Sequence, residues 1–431
     1  MRRCHRLNPV PGLFFLAGLL LLWAACGPSP RPTLSPSQLP TTPIPNPTAT
    51  PETLLTLTVW HSWDTAQERI FRDLLVTYQN DHPGVTVRLR QVPVERILAE
   101  YEDGVLSGEG PDLLVGRSDW IGRLAEQQAI VSLGDILPQD YWEGFYPFAL
   151  AGVESGGVRY AVPYACETVA LYYNREYVGV PPTTTARLLE LAATWTSPEQ
   201  VGLAFPLSFY NTVGYLYAFG GRLLDDAGQP ALDTVETRAW LGWLQEVHDS
   251  PGVIATDSYG QADTLFKNGS VAMLVNGSWA LSDYLRALGS ERLGVAPLPL
   301  LDPTQAWPTP LVTYSVLMVN PSHLVEHPQA VLDLLRFLGG PESQQLLAAR
   351  LNVIPTWNRI DLSNAPLLAG FVRQAELGRP RPVTAREQVL WDPLDNLLHN
   401  VIGRPGPLDQ SLQETQQQVE QLLQEMGANT P

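Results

Sequence analysis

Residues 55–78 read LTLTVWHSWDTAQERIFRDLLVTY, and this stretch decides the fold because a strand pattern runs directly into a helix pattern. Leu55, Leu57 and Val59 alternate with polar residues, as expected of a β-strand with one buried face. Asp64 and the glutamine three residues after it resemble the capping box that starts a helix. Apolar residues then recur at helical spacing, at Ile70, Phe71, Leu74, Leu75 and Tyr78. The globular part of the chain is therefore expected to open with a β-strand followed by an α-helix.

The same alternation of strand and helix patterns occurs twice more along the chain. Apolar positions predict strands near 85–89 and 113–115, and each is followed by a helical pattern. A βαβαβα order predicts a parallel sheet. Ligands bind beyond the carboxyl ends of such strands, so residues 61–64 and 118–120 are expected at one rim of the sheet. These two loops would bring indole rings and carboxylates together.

The amino terminus has the features of an exported lipoprotein. Residues 1–25 combine three arginines with an apolar run that is too short to span a bilayer, and Cys26 follows. Residues 26–53 are rich in Pro, Ser and Thr and are expected to form an extended tether. We predict a signal peptide over 1–25, lipidation of Cys26, and a position on the extracytoplasmic face of the cell membrane. The alternative is an ordinary cleaved signal and a free secreted protein.

The composition of the chain excludes some classes of binding partner and structural framework. The formal net charge is -17 at pH 7 and becomes more negative without the three arginines of the signal, so nucleic acid is not an expected partner. Removal of the signal and lipidation of Cys26 would leave Cys166 alone, which excludes a disulfide framework. The length of the chain after the tether exceeds what one core usually organises, so two lobes are expected.

Short motifs along the chain occur in the order typical of one family. They are LTVWHSW at 57–63, HPGV at 82–85, GPD at 110–112, VPY at 162–164, ET at 167–168, LYYN at 171–174, PPTT at 181–184, FKNG at 266–269, AM at 272–273 and NGSWA at 276–280. Each motif alone is weak evidence for a family, but the shared order and spacing of the motifs are strong evidence. From Leu54 to its end, the chain resembles the extracellular solute-binding proteins of the family that includes maltose-binding protein, the receptor components of ABC sugar importers.

The resemblance implies an α/β, periplasmic-binding-protein-like fold with two lobes, a hinge and a ligand cleft between the lobes. Lobe 1 would comprise about 54–166 and 298–354. Lobe 2 would comprise about 167–297 and 355–431. The protein would be a monomer without cofactor or metal, and it would capture a carbohydrate, a di- or oligosaccharide, for delivery to ABC permease subunits in the membrane.

The resemblance also implies a set of ligand-binding residues. Sugar rings present apolar faces that pack on aromatic rings, while their hydroxyl groups need fixed polar partners such as carboxylates and amides. The set matches that chemistry. It comprises Trp63, Asp64, Asp119 and Trp120 from lobe 1, Tyr210, Asn276, Trp279 and Trp391 from lobe 2, and Glu167 near the hinge.

Other readings of these residues stay open. The same fold could bind a polyamine or a polyol phosphate. A secreted glycoside hydrolase could use Asp64, Asp119 and Glu167 as paired carboxylates.

Other motifs favour structural roles. His323 and His327 match the H-x-x-E-H spacing of zinc peptidases, but the proline after His327 predicts a surface loop instead. Trp240 and Trp243 lie at helical spacing with leucines and are expected in the core, and Cys166 is expected to be structural. An amphipathic helix is expected from Leu408 onward, packed on lobe 2.

Overall fold

The computed structural model describes residues 54–225, 227–382, 385–404 and 406–428. The predicted signal peptide, Cys26 and the tether lie outside these residues. Within the described part of the chain, no helix combines the length and apolarity needed to cross a membrane.

The described residues form strands and helices that alternate along most of the chain. The strands are β1 Leu55–His61, β2 Val85–Gln91, β3 Leu113–Arg117, β4 Glu154–Ser155, β5 Val158–Arg159, β6 Val162–Glu167, β7 Val169–Asn174, β8 Val201–Pro206, β9 Val253–Thr256, β10 Val271–Gly277, β11 Leu293–Ala296, β12 Leu311–Val319 and β13 Arg379–Pro380. The helices are α1 Thr65–Asp81, α2 Val94–Ser107, α3 Ile121–Glu126, α4 Gln139–Trp142, α5 Pro147–Ala151, α6 Thr185–Thr194, α7 Phe209–Ala218, α8 Val235–Asp249, α9 Tyr259–Lys267, α10 Leu281–Leu288, α11 Pro321–Glu326, α12 Pro328–Gly339, α13 Pro341–Leu351, α14 Pro366–Leu377, α15 Ala385–Gln388, α16 Trp391–Val401 and α17 Leu408–Ala428. Single 3-10 turns, Ser118–Trp120 and Ser278–Ala280, follow β3 and β10.

The predicted opening of the fold is confirmed. Strand β1 leads into α1, whose N-cap is Asp64. One Asp64 carboxylate oxygen accepts hydrogen bonds from the backbone N–H groups of Ala66 and Gln67, each at 2.8 Å, and the Gln67 side chain completes the capping box. The apolar face of α1 is buried as its spacing predicted. Local sequence therefore fixes where this helix begins and which face it buries.

The strands form two main sheets. In the first sheet the order is β13-β12-β3-β1-β2, with β6 beside β12. Strand β1 is parallel to both β2 and β3, as predicted, whereas β12 is antiparallel to β3 and β6. The first sheet is therefore mixed. The second sheet has the order β11-β7-β10-β8-β9.

The chain passes between the two sheets at short connections. Strand β6 ends at Glu167 in the first sheet and β7 begins at Val169 in the second, so a single residue separates the sheets there. The chain returns to the first sheet between β11 and β12. Arg379–Pro380, in the range expected for lobe 2, pairs with β12 of the first sheet. The lobe boundaries themselves stay predictions.

The segment around His323 differs from its prediction as a loop. Residues Pro321–Glu326 form α11, because Asn320 caps the helix and proline occupies its first turn. The helix ends before His327, whose φ of -138° is not helical, so the two histidines do not project from one continuous helix. His323 instead lies 3.3 Å from the Asp112 carboxylate. The geometry of a zinc peptidase is absent from this segment.

Three predictions about packing are confirmed. Trp240 and Trp243 are buried in the core around the second sheet. Helix α17 packs on α16 and buries Leu412 and Val419 in the same core. Cys166 is buried, and burial raises the pKa of its thiol, which keeps the thiol protonated and unreactive.

Candidate functional site

A cleft of about 520 Å³ is lined by the end of β6 in the first sheet, by the turn that follows β10 of the second sheet, and by parts of α1, α10 and α13 with the segment after α13. The lining residues are Asp64, Ala66, Gln67, Arg69, Cys166, Glu167, Ser278, Trp279, Ser282, Arg286, Arg350, Leu351, Asn352, Val353 and Ile354. Three of the residues predicted to bind ligand, Asp64, Glu167 and Trp279, therefore share one cavity.

Glu167 lies where the chain passes from the first sheet to the second. Solvent reaches its carboxylate through the cleft, yet protein surrounds the group on most sides. Desolvation therefore raises the pKa of Glu167, and the positive charge of Arg117 partly offsets this effect. A partly desolvated carboxylate is a strong acceptor for a hydroxyl group that enters the cleft.

Trp279 is held in the cleft by the turn that follows β10. Its side chain is 43% exposed, and its indole N–H donates to the Tyr259 hydroxyl at 3.0 Å. The ring lies back over Gly277, where an added Cβ would come within 2.1 Å of it. Glycine at 277 therefore allows the ring to take this position, and the hydrogen bond that Trp279 donates to Tyr259 keeps it there.

Aromatic rings continue from Trp279 away from the cavity. The Tyr210 ring centroid is 5.8 Å from that of Trp279, and the Trp391 ring is 6.1 Å further on at an interplanar angle of 30°. Phe209 supports the Trp391 ring edge-on at 5.1 Å. Desolvation raises the pKa of Tyr210 to about 12, so its hydroxyl stays neutral at ordinary pH. We call Trp279, Tyr210 and Trp391 the aromatic row.

Asp119 lies near the far end of the aromatic row. Arg117 donates two hydrogen bonds to its carboxylate, at 3.0 and 2.9 Å, and Arg381 approaches within 3.5 Å. Both carboxylate oxygens are thus already engaged by the protein. Trp120, the next residue, is half-buried and its ring lies over Gly116, where an added Cβ would come within 2.7 Å.

Two of the predicted ligand-binding residues have structural roles instead. Trp63 is 3% exposed, and its ring lies between those of His61 and Phe71, at 4.3 and 3.8 Å. Its indole N–H donates to the Tyr164 hydroxyl at 2.9 Å. Both ring faces are therefore covered, and the prediction that Trp63 offers a surface to ligand is wrong.

The prediction that Asn276 binds ligand also needs correction. It is buried, its amide N–H donates to the Tyr284 hydroxyl at 2.6 Å, and its side-chain oxygen accepts from the backbone N–H of Gly277 at 2.8 Å. Because both ends of the amide are used inside the protein, Asn276 shapes the turn that carries Trp279 and does not face the cleft.

Sequence reasoning missed three side chains that the fold brings to this region. Tyr259 reaches Trp279, and Arg117 and Arg381 both approach Asp119. Arg117 stands two residues before Asp119 at the end of β3, so its proximity was available from the sequence. Arg381 is separated from Asp119 by most of the chain, and no motif marks it.

Two further observations limit the chemistry. Among the described residues, no group of three or more His, Cys, Asp or Glu side chains is arranged to hold a metal ion. A second cavity of about 580 Å³ lies between α8 and the segment after α16, and it contains none of the predicted site residues. The cleft with the aromatic row is therefore the candidate binding site.

Comparison with known proteins defines the class to which this fold and site belong. Residues 73–365 match the family described as bacterial extracellular solute-binding protein. The match covers more than half of the sequence, and the chain belongs to this family. Its fold is the two-lobed α/β fold of maltose-binding proteins.

Several proteins similar to this chain are named for the sugars that they bind. The maltotriose-binding protein of Pyrococcus abyssi is 28% identical over 362 residues, which cover 81% of this chain and 78% of the relative. The maltose/maltodextrin-binding domain MalE of Bdellovibrio bacteriovorus, solved with maltotriose, superposes with a TM-score of 0.69 at 26% identity and covers 86% of this chain and 100% of that domain. A cyclo/maltodextrin-binding protein solved with maltotetraose has a TM-score of 0.78 at 23% identity, over 88% of this chain and 100% of that one.

Proposed function

We propose that this protein captures an oligosaccharide in the cleft between its lobes and delivers it to the permease of an ABC importer. The observation that carries the proposal is the juxtaposition of the aromatic row with the Glu167 carboxylate. Flat rings pack against the apolar faces of sugars, and a desolvated carboxylate accepts hydrogen bonds from sugar hydroxyls. Trp279 lines the cleft, and the partly buried rings of Tyr210 and Trp391 continue the aromatic row beyond it, an extent that favours an oligosaccharide over a monosaccharide.

The names of relatives support the same ligand class. Maltotriose, maltotetraose and maltooligosaccharides occur in the names of relatives and of solved neighbours. One relative, the maltooligosaccharide ABC transporter solute-binding lipoprotein of Streptococcus pneumoniae, is 25% identical over 323 residues. Its name also fits the lipoprotein motif at Cys26, so we propose that the protein is tethered by a lipid at Cys26 outside the cell membrane.

We propose binding without turnover. A glycoside hydrolase needs two carboxylates free to act on one bond. Here Asp64 uses one oxygen to cap α1, and Asp119 is held by Arg117 at both oxygens, so Glu167 is the carboxylate with most freedom. Asp64, Asp119, Trp120 and the aromatic row then serve as binding groups.

The test is the affinity of residues 54–431 for maltotriose, measured by isothermal titration calorimetry with and without the substitution Trp279→Ala. Loss of a desolvated aromatic platform should weaken binding by about tenfold or more. Trp307→Ala is the matched control, because Trp307 is 42% exposed and does not line the cleft. An unsubstituted protein that binds polyamines or glycerol phosphate but no sugar would overturn the proposal.

A further inference from the structure

One face of α9 is connected to the turn that carries Trp279. Tyr259, Asp263 and Lys267 are spaced four residues apart, so they lie on the same face of this helix. The Tyr259 hydroxyl accepts the hydrogen bond that the Trp279 indole N–H donates, at 3.0 Å. None of the three side chains lines the cleft, so a role in direct ligand contact does not account for them.

A series of hydrogen bonds leads from Lys267 to the same turn. The Lys267 ammonium donates to one oxygen of Asp263 at 2.9 Å, and the other oxygen accepts from the Tyr284 hydroxyl at 3.0 Å. The Tyr284 hydroxyl accepts from the Asn276 amide at 2.6 Å, and the Asn276 oxygen accepts from the backbone N–H of Gly277 at 2.8 Å. We call Lys267, Asp263, Tyr284, Asn276 and Gly277 the Lys267 network. It ends at the glycine over which the cleft tryptophan lies.

The middle of the Lys267 network is buried. Tyr284 is 0% exposed, Asn276 is 1% exposed, and the side chain of Asp263 is 16% exposed. A buried polar group that loses its partner costs free energy, so breaking one hydrogen bond of the series is unfavourable. The members are therefore expected to move together, and a shift of the Asp263 carboxylate should reach the turn.

Lys267 also joins α9 to the helix that follows the turn. Its ammonium donates to Asp283 of α10 at 3.0 Å, and Arg286 donates to the other oxygen of Asp283 at 2.8 Å. The carboxylates of Asp263 and Asp283 therefore both lie within 3.0 Å of one ammonium nitrogen. Without that positive charge, the two carboxylates would repel each other across the gap between the helices.

The identity of residue 267 departs from the rest of the sequence. Among the 27 lysine and arginine residues of the chain, Lys267 is the only lysine. An ammonium group is a compact charge with three donors, whereas a guanidinium group is a flat fork. The ammonium of Lys267 reaches carboxylates on two helices while it lies 5.9 Å from the centroid of the Tyr284 ring. The use of lysine at this one position indicates a geometric requirement.

We propose that Lys267 is a positioning residue for Trp279. Its charge fixes the Asp263 carboxylate, and the Lys267 network then fixes the turn after β10, so that the Trp279 ring keeps its place in the cleft. Lys267 itself does not touch the ligand. The inference rests on the proposed function for the consequence in ligand binding, whereas the position of the ring can be measured without a ligand.

The position of the ring is tested by fluorine NMR of the protein labelled with fluorotryptophan, in the absence of sugar. The Trp279 resonance is the one that disappears in Trp279→Phe. In Lys267→Met, which keeps an unbranched side chain without its charge, this resonance should shift or broaden. The resonance of Trp142, which is buried in another core, should stay in place. An unchanged Trp279 resonance in Lys267→Met would overturn the inference.

Arg238→Met is the matched control. Arg238 also bonds two carboxylates, those of Asp233 and Asp409, and its side chain is 35% exposed, compared with 30% for Lys267. Its removal should leave the Trp279 resonance unchanged. A purely structural Lys267 would behave in the same way as Arg238, lowering the unfolding midpoint without moving the Trp279 ring.

The consequence for binding is tested by calorimetry with maltotriose. Lys267→Met should weaken binding by about fivefold, which corresponds to the net contribution of one hydrogen bond. In a protein that already carries Trp279→Ala, the same substitution should cost no further affinity, because Lys267 acts through that ring. An unchanged affinity, or an equal loss in both backgrounds, would overturn the inference while leaving the proposed function intact. A protein that binds no saccharide, but whose Trp279 resonance moves in Lys267→Met, would overturn the proposed function and support the positioning of the ring by Lys267.

Discussion

At the scale of single residues, the raised pKa of Glu167 predicts that ligand binding depends on pH. Desolvation by the surrounding protein raises its pKa above the ordinary value of 4.5, so the carboxylate is protonated at a milder acidity than a fully hydrated glutamate. If the charged form accepts hydrogen bonds from the ligand, acidification should weaken binding as the pH falls through this raised pKa.

We therefore expect the affinity for maltotriose to decline on acidification, beginning above pH 4.5, and the substitution Glu167→Gln to remove most of this dependence. Calorimetric titration at a series of pH values measures both effects. Glu199→Gln, at an exposed position, should keep the dependence of the unsubstituted protein. A profile that stays equally steep without Glu167 would assign the pH dependence to another group.

His61 makes a second prediction at this scale, about stability. It is fully buried against Trp63, and desolvation lowers its pKa from 6.5 to about 4. The unfolded chain binds a proton below about pH 6.5 and the folded protein only below about pH 4. Stability should therefore fall between these values by up to about 3 kcal/mol.

In the native protein, His61 Nδ1 accepts a hydrogen bond from the backbone N–H of Trp63 at 3.2 Å. The substitution His61→Asn keeps an acceptor for this hydrogen bond. We expect a lower unfolding midpoint at pH 7 from the lost ring contact, but a smaller further decrease between pH 7 and pH 4.5. Thermal unfolding at both pH values measures this. His327→Asn, at an exposed position, should leave the difference unchanged. If the unfolding midpoint of His61→Asn decreased as much as that of the unsubstituted protein, another group would be responsible for the acid sensitivity.

At the scale of elements, the position of the Trp279 ring depends on β10, on Gly277 at the end of that strand, and on the 3-10 turn that follows. Gly277 has a φ of -80°, which any residue adopts, so the backbone itself tolerates alanine there. The obstacle is the Trp279 ring, 2.1 Å from an added Cβ. The substitution Gly277→Ala should therefore push the ring out of the cleft while leaving the strand in place.

We expect Gly277→Ala to weaken maltotriose binding nearly as much as Trp279→Ala, about tenfold, with a small change in the unfolding midpoint. Calorimetry and thermal unfolding measure the two effects separately. Gly84→Ala is the control, because nothing lies within 4 Å of a Cβ added there. Full affinity in Gly277→Ala would mean that the observed position of Trp279 is not needed for binding.

Elements also determine how much could be predicted from the sequence. The first βα units and the capping box were predictable because their signals lie within a few residues of each other. Trp63 was misplaced because Tyr164, about one hundred residues away, and Phe71 cover it only after folding. Arg381 was missed for the same reason, since only the pairing of β13 with β12 brings it to Asp119. Local patterns predict elements, whereas a site built from distant segments depends on packing.

At the scale of the whole molecule, the proposed ligand site lies where the chain passes between the two sheets. Glu167 ends β6, pairs in register with Thr313 of β12, and lines the cleft. Cys166 beside it donates its backbone N–H to Ile354, in the segment that leads from α13 toward α14. A ligand that contacts Glu167 and Trp279 therefore contacts groups carried by different sheets on either side of these connections.

A ligand that contacts both lobes only when they are close together favours the closed state by its differential affinity. Maltotriose should therefore lower the radius of gyration of residues 54–431 in small-angle X-ray scattering and raise the unfolding midpoint. Trp279→Ala should reach the same compact state only at higher maltotriose concentration. Glucose, which offers one ring instead of three for contacts with the two lobes, should produce less compaction than maltotriose even when it binds. An unchanged radius at saturating maltotriose would show that capture proceeds without closure, because a ligand with equal affinity for both states shifts nothing.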